Sequence, residues 1–464
     1  MKQPPLRRVW AYSASDGVAT AISLAGIVVL VRVLRVEEFG VAEFLRTVQL
    51  LFGSVIATPL FDAAGRFYFE APADDDRRRI LGGALTGVLV TGIAAALLVG
   101  GSAPWWGPVS RLDIHAGAVW LACLGIPANN LVMAATQTAV LRGAPWVYAG
   151  LVLTQACAGL GAILVLVVWA RAGIEGYLLA MVIAATITAA AGIIVQARQY
   201  RWGRLVGPVK RYAAFGLPYT VTGVVQYAHA LFIRVLIARV VSSTALGWYA
   251  LAERIQTPLR LVISATGKVW MPWLFAAEPA RHASVGHVVF RLNGVVLGVQ
   301  CLLIAFLPEV IRLLGGEAYA PAYTAALLLL VASWVHFLGD WIVSSTLAVA
   351  KDTKHRIVVQ VVAVATAVPV ALVAVPRWGS AGAAASILIA SITTLVGMLV
   401  VTARAYPLKY GLSRLLPVSG LVIAGAIVAS AQVHLGTKMF LVAGSALMWA
   451  VGFAQVRRVQ YRDG

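Results

Sequence analysis

The sequence predicts an all-α, polytopic membrane protein of about 14 (12–14) transmembrane helices, and three observations carry that prediction. Apolar residues make up 61% of the 464 and charged residues 12%, with a mean hydropathy of +0.87. A soluble domain holds about 45–50% apolar and about 25% charged residues. Long runs lack Asp, Glu, Lys and Arg altogether: 80–110, 143–170, 176–197, 212–233, 357–376 and 378–403. The Lys and Arg residues outside the spans fall 23 to 8 between alternate connectors, which orients both termini to the cytoplasm and favours an even number of passes.

The elements follow in order. The basic start MKQPPLRRVW leads into an apolar run from Val18 to Leu34, longer than the core of a cleaved signal, so it reads as the first span. Further starts fall near residues 39, 80, 114, 145, 173, 210, 246, 286, 320, 355, 378, 411 and 437, after a first near 13. Span 1 carries Ser13, Asp16, Thr20 and Ser23 on one face, and span 2 carries Glu43 and Arg46 one turn apart. Span 7 adds Tyr219, Gln226 and Arg234, the last near its outer end, where snorkelling is an alternative. Span 8 is the most polar: Glu253, Thr257, Arg260, Ser264 and Lys268 share a helical face, and Pro258 predicts a kink. Span 9 holds Arg291, and span 10 aligns Ser333, His336, Asp340 and Ser344 as either an ion relay or a satisfied polar pair. The three cysteines, Cys123, Cys157 and Cys301, lie far apart in apolar runs and read as buried free thiols.

No connector is long enough for a soluble domain, so any function resides in the helices. A shift of 207 residues lays Arg32 on Arg239, Val33 on Val240 and Gly40 on Gly247, placing spans 1–2 over spans 7–8. This predicts two six-helix lobes, 1–200 and 201–405, with a substrate site between them and two C-terminal helices with a basic tail over 406–464. The net charge of +19 is absorbed by connector topology rather than by nucleic acid. Gly267-Lys268 is no phosphate loop, because Val262 stands where the upstream glycine belongs, and no metal-ligand spacing occurs. No catalytic motif is present, and the chain does not read as an enzyme.

A charge near the bilayer centre costs about 2.5–3.5 kcal/mol, so intramembrane charges face a partner or a water-filled cavity. Here Arg46, Arg234, Arg254, Arg260, Lys268 and Arg291 outnumber Glu43, Glu253 and Asp340. A basic lining favours an anionic substrate, and guanidinium forks suit phosphate oxygens.

Four stretches then carry a family resemblance: Val31–Phe44, Phe215–Thr220, Arg234–Ile255, and the segment from Leu307–Ala322 through to Val375–Ser386. In order and position they resemble polysaccharide and lipid-linked oligosaccharide flippases of the MATE-like multidrug/oligosaccharidyl-lipid/polysaccharide exporter superfamily. The resemblance implies a multi-pass protein of the bacterial inner membrane. Such a protein moves a polyprenyl-pyrophosphate-linked oligosaccharide from the cytoplasmic to the outer leaflet by alternating access, with membrane lipid and a glycan polymerase complex as partners. In that reading Arg46, Arg234, Arg260 and Lys268 contact the substrate. Asp16, Glu253 and Asp340 are candidates for coupling to H+ or Na+, and no bound cofactor is expected. Many relatives carry Asp before the arginine at 234, where this chain has Ile233. A multidrug cation antiporter of the same fold, or a non-transporting scaffold of a glycan-assembly complex, are the alternatives.

Overall fold

The computed structural model describes residues 6–110, 112, 114–201, 209–276, 285–349, 354–405, 410–431, 436, 438, 439 and 443. Among these residues the chain is helical throughout, as lipid demands: with no water to pair backbone N–H and C=O groups, a crossing segment must bond within itself. Helices α1 (Leu6–Val33), α2 (Val36–Glu70), α3 (Asp74–Ser110), α4 (Ala116–Leu141), α5 (Pro145–Ile163), α6 (Gly173–Val195) and α7 (Val209–Val240) come first. They are followed by α8 (Ser243–Ile255), α9 (Thr257–Ala276), α10 (Val285–Ala305), α11 (Leu307–Gly315), α12 (Tyr323–His336), α13 (Ser345–Val349), α14 (Lys354–Ala405) and α15 (Leu412–Ser430). Short π-helical stretches extend α5 over Leu164–Trp169 and α12 over Phe337–Val343.

Among the described residues, nine segments are long and apolar enough to cross a membrane. The last, His355–Arg404, is two passes: within α14 Gly379 has φ 55°, ψ −129°, and the chain doubles back there. Only glycine adopts that conformation without strain, and a Cβ on nearby Gly382 would lie 2.1 Å from the Ala374 carbonyl oxygen. The expected starts at 145, 173, 210, 286, 355 and 411 lie within one residue of Pro145, Gly173, Val209, Val285, Lys354 and Leu412. The expected kink in span 8 is present as a break at Gln256 between α8 and α9, two residues before Pro258. The fourteenth expected span and the basic tail fall largely outside the described residues.

Two compact units divide the chain, residues 1–250 and 251–464. In the first, α4 packs between α3 and α6, α1 lies on α5, and α2 lies on α7. Small side chains allow this: Ala134, Ala135, Ala139, Ala180, Ala184 and Ala185 are fully buried, and a Cβ on Gly192 would meet that of Ala135 at 2.5 Å. At one end Phe67, Leu81, Leu85 and Tyr200 close a core cluster, tied by the Arg201 N–H donating to the Arg78 carbonyl at 3.0 Å. In the second unit α12 packs on α14 and α10 on α15. Asn293 bridges them, accepting from the Trp334 indole at 2.8 Å and donating to Ser419 at 3.0 Å.

The lateral surface is apolar, with Leu98, Ile194 and Leu421 well exposed, as a lipid-facing surface requires. In the first unit exposed Trp105 and Trp169 mark span ends that alternate passes bring to one side, and Trp146 marks the other, where amphipathic indoles settle at membrane interfaces. Cys123 and Cys301 are buried free thiols, but Cys157 is exposed on α5: that helix turns one side to the lateral surface, and 157 falls on it.

Candidate functional site

The polar side chains of the spans form several local clusters. In the first unit Glu43, 5% exposed, accepts from the Tyr177 hydroxyl at 3.3 Å and lies 3.8 Å from Arg46. Arg46 stands ten residues inside α2, about 15 Å from its start and so near mid-membrane. Arg234 is 6% exposed, beneath the Tyr249 ring at 5.7 Å, with Nη1 donating to the Ala230 carbonyl at 3.4 Å. Its burial excludes snorkelling: a guanidinium reaching for the interface would be exposed. Asp16 accepts from the Tyr148 hydroxyl at 2.8 Å, and the Tyr148 ring stands edge-on to Tyr12.

The repeat detected by the 207-residue shift has a physical counterpart at the starts of α2 and α8. Gly40 and Gly247 meet backbone to backbone, a Cβ on Gly40 lying 2.7 Å from the Gly247 nitrogen. One turn earlier Thr244 donates to Glu37 at 3.0 Å, again a pair 207 residues apart. Residues matched by the repeat therefore touch each other.

The second unit holds Arg260, His336 and Asp340. On α8–α9 the packed side is Leu251, Ala252, Ile255, Gln256, Leu259 and Ile263, all buried. The predicted stripe lies opposite: Glu253, Thr257 and Ser264 are half-buried and Arg260 is exposed. The side chains of Lys268 and Tyr219 lie outside the described residues. Arg260 Nη2 approaches Gln256 Oε1 at 3.5 Å, and Ser333 also donates to that oxygen. Asp340 sits on the π-helical stretch, seven residues from the end of the Glu317–Leu347 span, where Arg356 Nη2 donates to its two oxygens at 3.2 and 2.9 Å. His336 Nε2 lies 3.8 Å from the same carboxylate. Asp340 is thus shallower than mid-span, and its main partner is an arginine that connector counting assigns to topology. A signal existed: Asp340 stands near the end of one span and Arg356 at the start of the next, so both lie toward the same membrane face.

Outside the spans, α11 carries Glu309, which accepts from the buried Lys438 ammonium; that ammonium also faces the Phe306 ring at 5.7 Å. Burial pushes the Glu309 carboxyl up, and Lys438 with nearby Arg312 more than offsets this, holding it below the usual glutamate range.

Residues 29–324, more than half of the chain, match the model of a family described as polysaccharide biosynthesis protein. The chain belongs to that family. No curated protein matches this polysaccharide biosynthesis family member. Its fold is that of a solved lipid II flippase MurJ in an inward closed conformation, with 12% identity, a TM-score of 0.75, and 97% of this chain and 99% of that one covered. A multidrug resistance MATE family transporter of the MOP superfamily, inward-facing, aligns with a TM-score of 0.66 at 13% identity over 84% and 95% of the two chains. A MOP superfamily transporter from Pyrococcus furiosus, described as having a binding pocket of reverse polarity, aligns with a TM-score of 0.58 at 12% identity over 88% and 97%. The protein is therefore a multi-pass, MATE-like membrane protein of a polysaccharide biosynthesis family.

Proposed function

We propose that this protein is a flippase that carries a polyprenyl-pyrophosphate-linked oligosaccharide from the cytoplasmic to the outer leaflet of a bacterial inner membrane, with both termini cytoplasmic. Alternating access is the mechanism, the repeated halves 1–200 and 201–405 being the moving parts. The observation that carries this reading is the accessible polar stripe of α8–α9, with Arg260 at its centre opposite a fully packed apolar side. A lipid-facing guanidinium at that depth would cost about 2.5–3.5 kcal/mol, so the stripe fits a water-filled path. Arg260 and Arg46 bind the diphosphate by bidentate hydrogen bonds, and Lys268 and Arg234 attract it along the path. Asp16, Glu253 and Asp340 couple transport to H+ or Na+. A glycan polymerase complex takes up the product. The lipid II flippase among the structural relatives and the family match support a lipid-linked glycan. The basic excess argues against a cationic drug.

The test is depletion of the protein followed by mass spectrometry of extracted lipids. A polyprenyl-diphosphate oligosaccharide should accumulate, and Arg260→Ala at normal expression should fail to clear it. No accumulation with unchanged surface glycan, or full rescue by Arg260→Ala, overturns the reading.

A further inference from the structure

Four helical segments of the second unit bring together a polar track of which the function above uses only Arg260 and Asp340. It starts at Ser333 and Gln256, about 20 Å inside the span end at Leu347, and finishes at Arg356 in the first turn of α14. Gln256 is 2% exposed; its carbonyl oxygen is used by Ser333 and Arg260, while its Nε2 has no partner among the described residues. Arg356 spends Nη2 on both oxygens of Asp340, and its buried Nε has no partner among the described residues. Arg260, at the other end, has no carboxylate within 4 Å among the described residues. Leaving a buried donor unpaired costs about 1–3 kcal/mol, so two such donors on one track suit an acceptor that meets them in turn. Arg260 and Arg356 against the one carboxylate of Asp340 leave a positive charge on the track, so that acceptor is an anion.

We propose that Arg356 is a landing site for the diphosphate at the membrane face marked by the basic connectors, and that the Asp340 carboxylate holds its place in the empty protein. The inference rests on the flippase reading and deepens it. The carboxylate takes only Nη2 of the guanidinium, which keeps Arg356 oriented and its charge covered while the two-nitrogen fork that suits a phosphate stays open. An arriving diphosphate carries more charge and more acceptor oxygens, and it can take the Nε that Asp340 leaves unused. It exchanges with Asp340 at Arg356. From there it passes His336 to Gln256 Nε2 and Arg260, so that the charge is never without a donor on its way inward. The π-helical stretch supports the exchange point: Gly339 brings it against α14, where a Cβ would lie 2.9 Å from Leu395 Cα.

The experiment measures binding of inorganic pyrophosphate and of farnesyl diphosphate to the purified full chain in lipid nanodiscs. Asp340→Asn removes the competitor and should bind both probes about tenfold more tightly, whereas Arg356→Ala should bind about tenfold more weakly. Arg356→Lys, which keeps the charge and loses the fork, should fall between. A gain of affinity in Asp340→Asn cannot come from misfolding. If the wild type binds and Arg260→Ala weakens it while Arg356→Ala and Asp340→Asn change nothing, this inference falls and the flippase reading stands. If the wild type binds neither probe, both fall.

Discussion

The Gly40–Gly247 contact makes a graded prediction. Adding a methyl group at 247 places Cβ 2.1 Å from the Val36 carbonyl oxygen, 2.7 Å from Val36 Cγ1 and 2.9 Å from the Val36 carbonyl carbon. A carbon-to-oxygen contact relaxes at about 3.3–3.6 Å, so the backbones must part by more than about 1 Å. No side chain can rotate to absorb this, because the nearest atom is backbone. Overpacking of this kind costs about 1–3 kcal/mol, and the displacement also stretches the 3.0 Å bond from Thr244 to Glu37, a bond to a carboxylate worth about 1.5–3 kcal/mol. The sum for Gly247→Ala is about 2.5–6 kcal/mol. Gly40→Ala meets the Gly247 nitrogen at 2.7 Å and should cost less, about 1–3 kcal/mol. Gly298→Ala, where nothing lies within 4 Å, should cost nothing. Thermal unfolding of the purified variants in one detergent should rank them in that order. A Gly247→Ala protein as stable as Gly298→Ala would refute the close approach and the paired repeat built on it.

Two further perturbations follow from the buried and interfacial carboxylates. Tyr177→Phe removes the hydroxyl that Glu43 accepts from and should lower stability by about 1–3 kcal/mol, whereas Glu43→Gln in that background should recover part of it; equal stability of Tyr177→Phe and wild type would count against a buried carboxylate there. Glu309 has a lowered pKa, so its pairing with Lys438 stabilises the fold above the unfolded glutamate range and is lost as pH falls through the folded value. Because Glu309 is half exposed, the effect is small, under about 1 kcal/mol. Thermal scans of wild type and Lys438→Met should differ at pH 7 and converge toward pH 3; a difference that grows on acidification would overturn the assignment.

The helices were legible because each expresses one rule, the need for about 20 apolar residues with internally bonded backbone. The ends were legible where a local breaker acts, as at Pro145, Gly173 and the Gly379 reversal, and less so at α3, which begins at Asp74 rather than near residue 80. There the acidic run Asp74–Asp76 at the helix start and the following arginines are helical, although connector logic treats charges as loop. The candidate site was legible as a list and not as a set of partners. Helical spacing shows that Arg46 can reach Glu43, one turn away on the same helix. It carries no information on Tyr177, Tyr148 or Tyr249, which come from other helices, because aromatic residues in apolar spans look like packing. Arg356 was hidden for a different reason: one positive charge at a span end serves topology and an ion pair equally well.

The repeat makes the two kinds of legibility meet. If residue i touches residue i + 207, and the same holds one turn away, the two chain segments are related by a local two-fold axis through their contact. Gly40–Gly247 and Glu37–Thr244 satisfy that condition. An axis of this kind forces like backbone against like backbone, and glycine is the residue that permits it at both positions, which is why glycine stands at 40 and again at 247. The side chains a few residues further on owe nothing to the axis and have diverged: the repeat lays Arg46 on Glu253 and Ile27 on Arg234. Backbone packing thus keeps the symmetry while charge breaks it.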